Sequence, residues 1–231
     1  MSGRCYRCGV RENTCVCDSI PSLNNKTLLV LLMHPKEFKK ERLGTGRMTH
    51  AALKNSQMIM GVDFTIDQRV NALIKDPKNF CTVLWPGDNA LEWTGEMSLR
   101  TQISEKRLVV FLLDGTWNCA RKMYRLSHNL HSLPKISLNP TKPSAFSIKQ
   151  QPDVRCLSTI EASQLLFETL QDAHLENSED WNSLVRPFLK MNAQQIEIAS
   201  DPDRQGYRRG AYNPAATLQR AIEGTRSRKL F

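Results

Sequence analysis

Four cysteines fall within thirteen residues, Cys5, Cys8, Cys15 and Cys17, with the spacing C-x2-C-x6-C-x-C. Two close pairs let four thiolates converge on one tetrahedral ion, with Zn–S near ~2.3 Å. The segment has almost no apolar residues, so a structural Zn2+ would hold it together where a core cannot. A closed four-ligand site leaves no open position for catalysis. A disulfide pair or a redox Cys-x-x-Cys is the alternative. Cys81, Cys119 and Cys156 sit in or beside apolar stretches and are expected to be ordinary buried cysteines.

A second constellation runs from Leu113 to Met123, L-D-G-T-W-N-C-A-R-K-M. Asp114 ends an apolar run, Gly115 permits a tight turn, and Thr116 is placed to cap a following helix. An acid and helix-start amides would then face one crevice, where a small ligand could lie. Turn and cap roles alone, with Trp117 in the core, are an equal reading. Met33-His34-Pro35 and Leu84-Trp85-Pro86-Gly87 end two other apolar runs, and Ser158 stands three residues before Glu161, as a capping box requires. Each has a plain explanation as turn or cap, and His34 could be a core histidine or a proton shuttle. Their joint placement at strand ends points to one shared pocket.

The elements that must position these groups are legible as a pattern. Thr27–Met33, Cys81–Trp85 and Arg107–Leu113 are continuous apolar runs, as expected of strands buried on both faces of a parallel sheet. Helical spacing runs through 44–60, 116–126 and 158–173. Alternation of the two predicts an α/β sheet with ligand loops at the strands' C-terminal ends. The long, proline-containing stretch Asn139–Pro152 is a candidate functional loop.

The chain has 231 residues, 40% of them hydrophobic, a mean hydropathy of −0.43 and a net charge of +9. No apolar run approaches the ~18 residues of a membrane span, and MSGRCYRCGV carries no apolar signal core. A basic cytoplasmic protein with a nucleic-acid partner is expected. The charge is uneven. Residues 118–149 hold six basic residues (Arg121, Lys122, Arg125, Lys135, Lys142, Lys149), two histidines and no acid; 156–185 hold six acids and no Lys or Arg. From Arg204 onward there are seven basic residues against Glu223 alone. The basic blocks look like footprints on a polyanion, although a mobile, soluble tail would also explain the last one.

The cysteine cluster, D-G-T-W-x-x-A-R-K-M and the Ser158 segment S-T-x-E-A, in this order, resemble the DTW-domain family over Cys5 to about Ala173. The resemblance implies a SPOUT-like knotted α/β domain with a mostly parallel sheet. It further implies a tRNA-uridine aminocarboxypropyltransferase that moves the 3-amino-3-carboxypropyl group of S-adenosyl-L-methionine to N3 of a tRNA uridine, leaving methylthioadenosine. The expected organisation is a zinc-binding motif at 1–22, the catalytic domain at 23–200 and a basic tail at 201–231. Asp114 would be the base or would hold the cofactor's ammonium group, with Glu161 as substitute. Leu84, Leu113 and Trp117 would form apolar walls, backbone at Gly87, Gly115 and Thr116 would hold the cofactor's polar groups, and Pro86, Ser158 and Thr159 would complete its site. Arg121, Lys122, Arg125 and Lys149 would receive tRNA phosphates. Departures from the family pattern are Leu43-Gly44 for Thr-Asn, Leu84-Trp85-Pro86-Gly87 for Leu-Phe-Pro-Ser, and Phe146–Lys149 for Tyr-x-Leu-Arg. A methyltransferase using the same cofactor, or a non-catalytic zinc-dependent RNA-binding protein, are the alternatives.

Overall fold

Six consecutive residues that are all buried, Leu28–Met33, form the first strand, β1. The computed structural model describes residues 3, 5, 6, 12–40, 44–87, 90, 91, 93, 99–103, 105–141, 143–145 and 156–200. After β1 come α1 (Pro35–Lys40), α2 (Thr45–Ala52), β2 (Ser56–Met60), α3 (Gln68–Lys75), β3 (Asn79–Leu84), β4 (Ala90–Leu91), α4 (Leu99–Ile103) and β5 (Arg107–Asp114). Then follow α5 (Trp117–Leu126), α6 (His128–His131), β6 (Lys135–Ile136), α7 (Thr159–Asp172), a 3-10 turn at Trp181–Val185 and α8 (Arg186–Ser200).

The strands form one sheet in the order β2-β1-β5-β3-β6-β4, and every pairing among the described residues is parallel. Pleating sends alternate residues to opposite faces. Leu29 and Leu31 of β1 pack with Leu108, Val110 and Leu112 of β5 beneath α2, α7 and α8, around Ile160, Phe167, Trp181 and Phe188. Leu28, Val30 and Leu32 join Val109, Phe111 and Leu113 on the other face, against Val70 of α3, Met123 of α5 and Leu130 of α6. The expected α/β class with a parallel sheet is therefore present. Burial on both faces explains why β1 and β5 read as unbroken apolar runs; each fully buried leucine contributes about 2 kcal/mol.

The expected helix over 44–60 is a helix and a strand. α2 stops at Ala52, where the Leu53 N–H closes on Thr49 O. Asn25 then pins the reversal: its side chain donates to Asn55 O and accepts from the Asn55 N–H. Ser56–Met60 pairs with β1 along its open edge. Backbone pairing with a buried strand outweighs the helical spacing of a short segment. Cys119 is a second correction: Cys81 and Cys156 are buried, but Cys119, on the first turn of α5, is only half-buried. The 201–231 tail lies outside the described residues.

Candidate active site and cysteine cluster

The C-terminal ends of β3, β5 and β6 open onto a cavity of about 420 Å³. Leu84–Gly87 from β3, Leu113 and Gly115 from β5, and Ser137–Pro140 after β6 form much of its wall; Trp117 and Ala120 of α5 and Thr159 and Ala162 of α7 close it. Of the cofactor residues expected from sequence, Leu84, Pro86, Gly87, Leu113, Gly115, Trp117 and Thr159 line this space; Asp114, Thr116 and Ser158 stand beside it. Gly87 takes φ +154°, a conformation that L side chains rarely adopt, and its missing β-carbon leaves open space.

Asp114 is 6% exposed, and its carboxylate is enclosed by the starts of two helices. Thr159 Oγ1 at the head of α7 donates to Oδ1 at 2.6 Å, and a β-carbon on Gly46, in the first turn of α2, would collide with Oδ2. A buried carboxylate needs such donors and positive helix ends, because desolvation otherwise penalises its charge. The backbone of Asp114 is engaged as well, its carbonyl accepting from the His34 N–H at 2.8 Å. That bond ties the ends of β1 and β5 together.

His34 is 8% exposed. Its Nδ1 accepts from the Lys36 N–H at 3.1 Å, so the neutral ring carries its proton on Nε2. Burial first, and the neighbouring Lys36 charge second, lower its pKa below the usual histidine value.

Glu161 serves the loop more than the cavity. Its two oxygens accept from Ser144 Oγ and the Ala145 N–H at 2.7 Å each, from the Ser158 N–H at 2.9 Å and from Ser158 Oγ at 2.5 Å. The capping box expected at Ser158 is formed, and the same carboxylate clasps the loop that follows Asn139 and Pro140. Thr116 caps α5 as expected, accepting from the Cys119 N–H at 3.3 Å. Arg121, Lys122 and Arg125 are exposed along α5, whereas Lys149 lies outside the described residues.

Trp85, Ile136–Pro140, Cys156, Leu157 and Ala162 line the cavity without having been singled out as site residues. One signal existed: Lys135-Ile136-Ser137-Leu138 alternates polar and apolar, the period of a strand.

Among the described residues, Cys5, Cys15 and Cys17 bring their sulfurs within 4.8 Å of one another, and Cys5 Sγ stands 3.7 Å from Cys17 Sγ. Two sulfurs on one tetrahedral zinc at the usual bond length would lie about 3.8 Å apart. The donor set therefore fits such an ion, and none of these three cysteines is in a disulfide. Cys8 lies outside the described residues. The segment is anchored by Val16, 0% exposed in the main core, and by an Asp18–Lys190 ion pair at 2.8 Å.

The DTW domain model matches residues 2–196. Proteins named tRNA-uridine aminocarboxypropyltransferase 2 are similar to this chain. The one from Macaca fascicularis is 24% identical over 197 residues, covering 84% of this chain and 63% of that protein. The Mus musculus protein is 26% identical over 198 residues with the same coverage, and the Drosophila melanogaster protein is 24% identical over 201 residues, covering 84% and 75%. This chain thus spans under two thirds of the length of the macaque and mouse proteins. No solved structure is a significant match. A family match across nearly the whole described chain, on the segments that build the crevice, places the protein in the DTW domain family.

Proposed function

We propose that this protein modifies tRNA, transferring the 3-amino-3-carboxypropyl group of S-adenosyl-L-methionine to N3 of a uridine and releasing methylthioadenosine. The observation that carries the reading is the cavity at the strand ends, lined by family-motif residues, with the exposed Arg121, Lys122 and Arg125 on the helix that supplies its Trp117 and Ala120. In the reaction the N3–Cγ bond forms as the Cγ–S bond breaks, and the electron pair returns to sulfur. A sulfonium leaves as a neutral thioether and needs no acid, so catalysis reduces to positioning and loss of the N3 proton. The N3 proton passes to solvent. Leu84, Leu113 and Trp117 supply apolar walls for the cofactor, and Gly87 and Gly115 let its polar groups approach backbone. Pro86 and Thr159 complete that contact set.

Burial and the bond from Thr159 favour orientation over proton abstraction for Asp114: the carboxylate keeps the heads of α2 and α7 and the end of β5 in register. Ser158 and Glu161 hold α7 and its loop in the same way. Arg121, Lys122 and Arg125 receive tRNA phosphates. Zinc on the cysteine cluster supplies cross-linking alone. A SPOUT-like knotted crossing of the chain belongs to the same reading, supported by the all-parallel sheet.

The test is mass spectrometry of tRNA after incubation with the protein and S-adenosyl-L-methionine. A uridine heavier by one aminocarboxypropyl group is the expected product. A methyl increment would make the protein a methyltransferase, and unmodified tRNA with no cofactor binding would leave an RNA-binding module. Metal analysis checks the cluster: replacing Cys5 and Cys17 with Ser is expected to lose one zinc per chain.

A further inference from the structure

The rings at the cavity mouth do not stop at its rim. Trp117 and Trp85 both line the cavity, with centroids 6.3 Å apart. Trp85 stacks on Tyr124 at 4.4 Å and 17°. Tyr124 meets His131 at 4.9 Å, and His131 meets His128 edge-on at 5.4 Å. The result is a continuous file of five rings that begins in the cavity and ends at two exposed imidazoles. Trp117 and Tyr124 stand at i and i+7 of α5, with Arg121 and Arg125 at i+4 and i+8 on that same face, and His128 opens α6. Lys135 Nζ stands 5.8 Å from the Tyr124 ring centre.

Core packing accounts for the inner rings only in part, since Trp85 and Tyr124 are half-buried; His128 and His131 are exposed, the latter held by a 2.7 Å bond from its Nε2 to Tyr124 O. The chemistry of the strip is specific. Flat π-faces interleaved with cations, and no acid anywhere in 118–149, suit alternating bases and phosphates. Structured duplex RNA offers no free base faces, whereas an unpaired loop does.

We infer that this file of rings is the track for the unpaired nucleotides that flank the target uridine, their bases stacking on His131 and His128 while Arg121 and Arg125 take the phosphates. The inference rests on the proposed tRNA reaction and adds to it the form in which the substrate must arrive. Stacking tolerates any base, so the track selects single-stranded context and not sequence. The target uridine, at the inner end of the track, then enters the cavity that Trp85 and Trp117 line.

The full chain is titrated with unmodified tRNA, wild type against a His128→Ala/His131→Ala double variant, at several salt concentrations, with S-adenosyl-L-methionine calorimetry alongside. Loss of stacking on both rings is expected to weaken tRNA binding at least about tenfold while leaving the slope of log Kd against log salt unchanged. Cofactor binding should not move, which also shows that the variant is folded. His131→Tyr should bind at least as tightly as wild type, because a larger ring restores the platform. Wild-type tRNA affinity in the double variant would overturn the track and leave the proposed reaction standing. Failure of the wild type to bind tRNA at all would overturn both.

Discussion

The two sides of the crevice are built on opposite principles. On one side Asp114, Thr159, Ser158 and Glu161 form a closed set of hydrogen bonds in which every carboxylate oxygen named above is enclosed or shared. On the other, Trp85, Trp117 and Tyr124 touch by ring faces and edges and stay half-exposed. A buried polar network has one satisfied arrangement, so it fixes distances. Ring contacts are weaker and less directional, so that wall can adapt to what it meets. On the proposed reaction, the difference separates residues that hold from residues that touch: the acids that look most catalytic in sequence order the site, and the aromatic side is left to meet the ligand.

Breaking the holding side should cost most. Asp114→Ala is expected to lower transfer on the order of 100-fold, since a displacement of about 1 Å suffices for that. Asp114→Asn separates holding from proton abstraction: it should keep measurable activity with an unchanged rate–pH profile. Disappearance of the acid limb of that profile would return Asp114 to the role of base. Gly46→Ala places a methyl group into the Asp114 carboxylate and within 3.0 Å of Met33 Cε, and should lower transfer about tenfold. In an Asp114→Ala background the same change should cost little, because the carboxylate is gone and only the flexible end of Met33 has to give. Full additivity of the two would show that they act on separate features.

Substitution on the touching side should move affinity before turnover. Trp85→Phe is expected to raise KM for tRNA or cofactor by roughly threefold with kcat within about twofold; a kcat collapse would erase the distinction between the sides. Glu161→Gln should leave kcat intact and lower stability by about 1 kcal/mol, through loss of a capping box and loop clasp, as thermal melts would read. Loss of activity with unchanged melting would make Glu161 a catalytic group instead.

The smallest effect is in acid. Burial lowers the pKa of His34 and of His50 below the ordinary histidine value. The unfolded chain therefore binds more protons than the native one in that range. The stability held by these neutral rings is complete above about pH 6.5 and declines as pH falls through the unfolded value toward the folded ones. Denaturant titrations between pH 7.5 and 5 should show this slope, flattened in His34→Asn.

The caps were readable from the chain because their chemistry is local: Thr116 caps within three residues, and Ser158 and Glu161 close a box over one turn, whereas the Thr159–Asp114 bond spans 45 residues and was not. The strands were readable where both faces are buried, as in β1 and β5. The touching side was readable in Trp117, expected as an apolar wall, but not in the ring contacts it makes. Trp85 meets Tyr124 only because β3 and α5 are brought together by the sheet, and β6, which delivers Ser137–Pro140 to the cavity, has two residues. The error over 44–60 has the same origin, since Ser56–Met60 is a strand only because the edge of β1 is there to receive it.

The order of the sheet also has a cost in time. β1 is apolar on both faces and lies between β2 and β5, and its Leu28 pairs with Val109. A ribosome adding ~5–20 residues per second delivers β5 several seconds after β1 has emerged. During that interval L-L-V-L-L-M offers an open edge of high β-propensity to any neighbouring chain. Lys26 before it and Pro35-Lys36 after it flank that edge as charge and proline guards. Slower synthesis, or fewer holding chaperones, is therefore expected to lower the soluble yield of this protein.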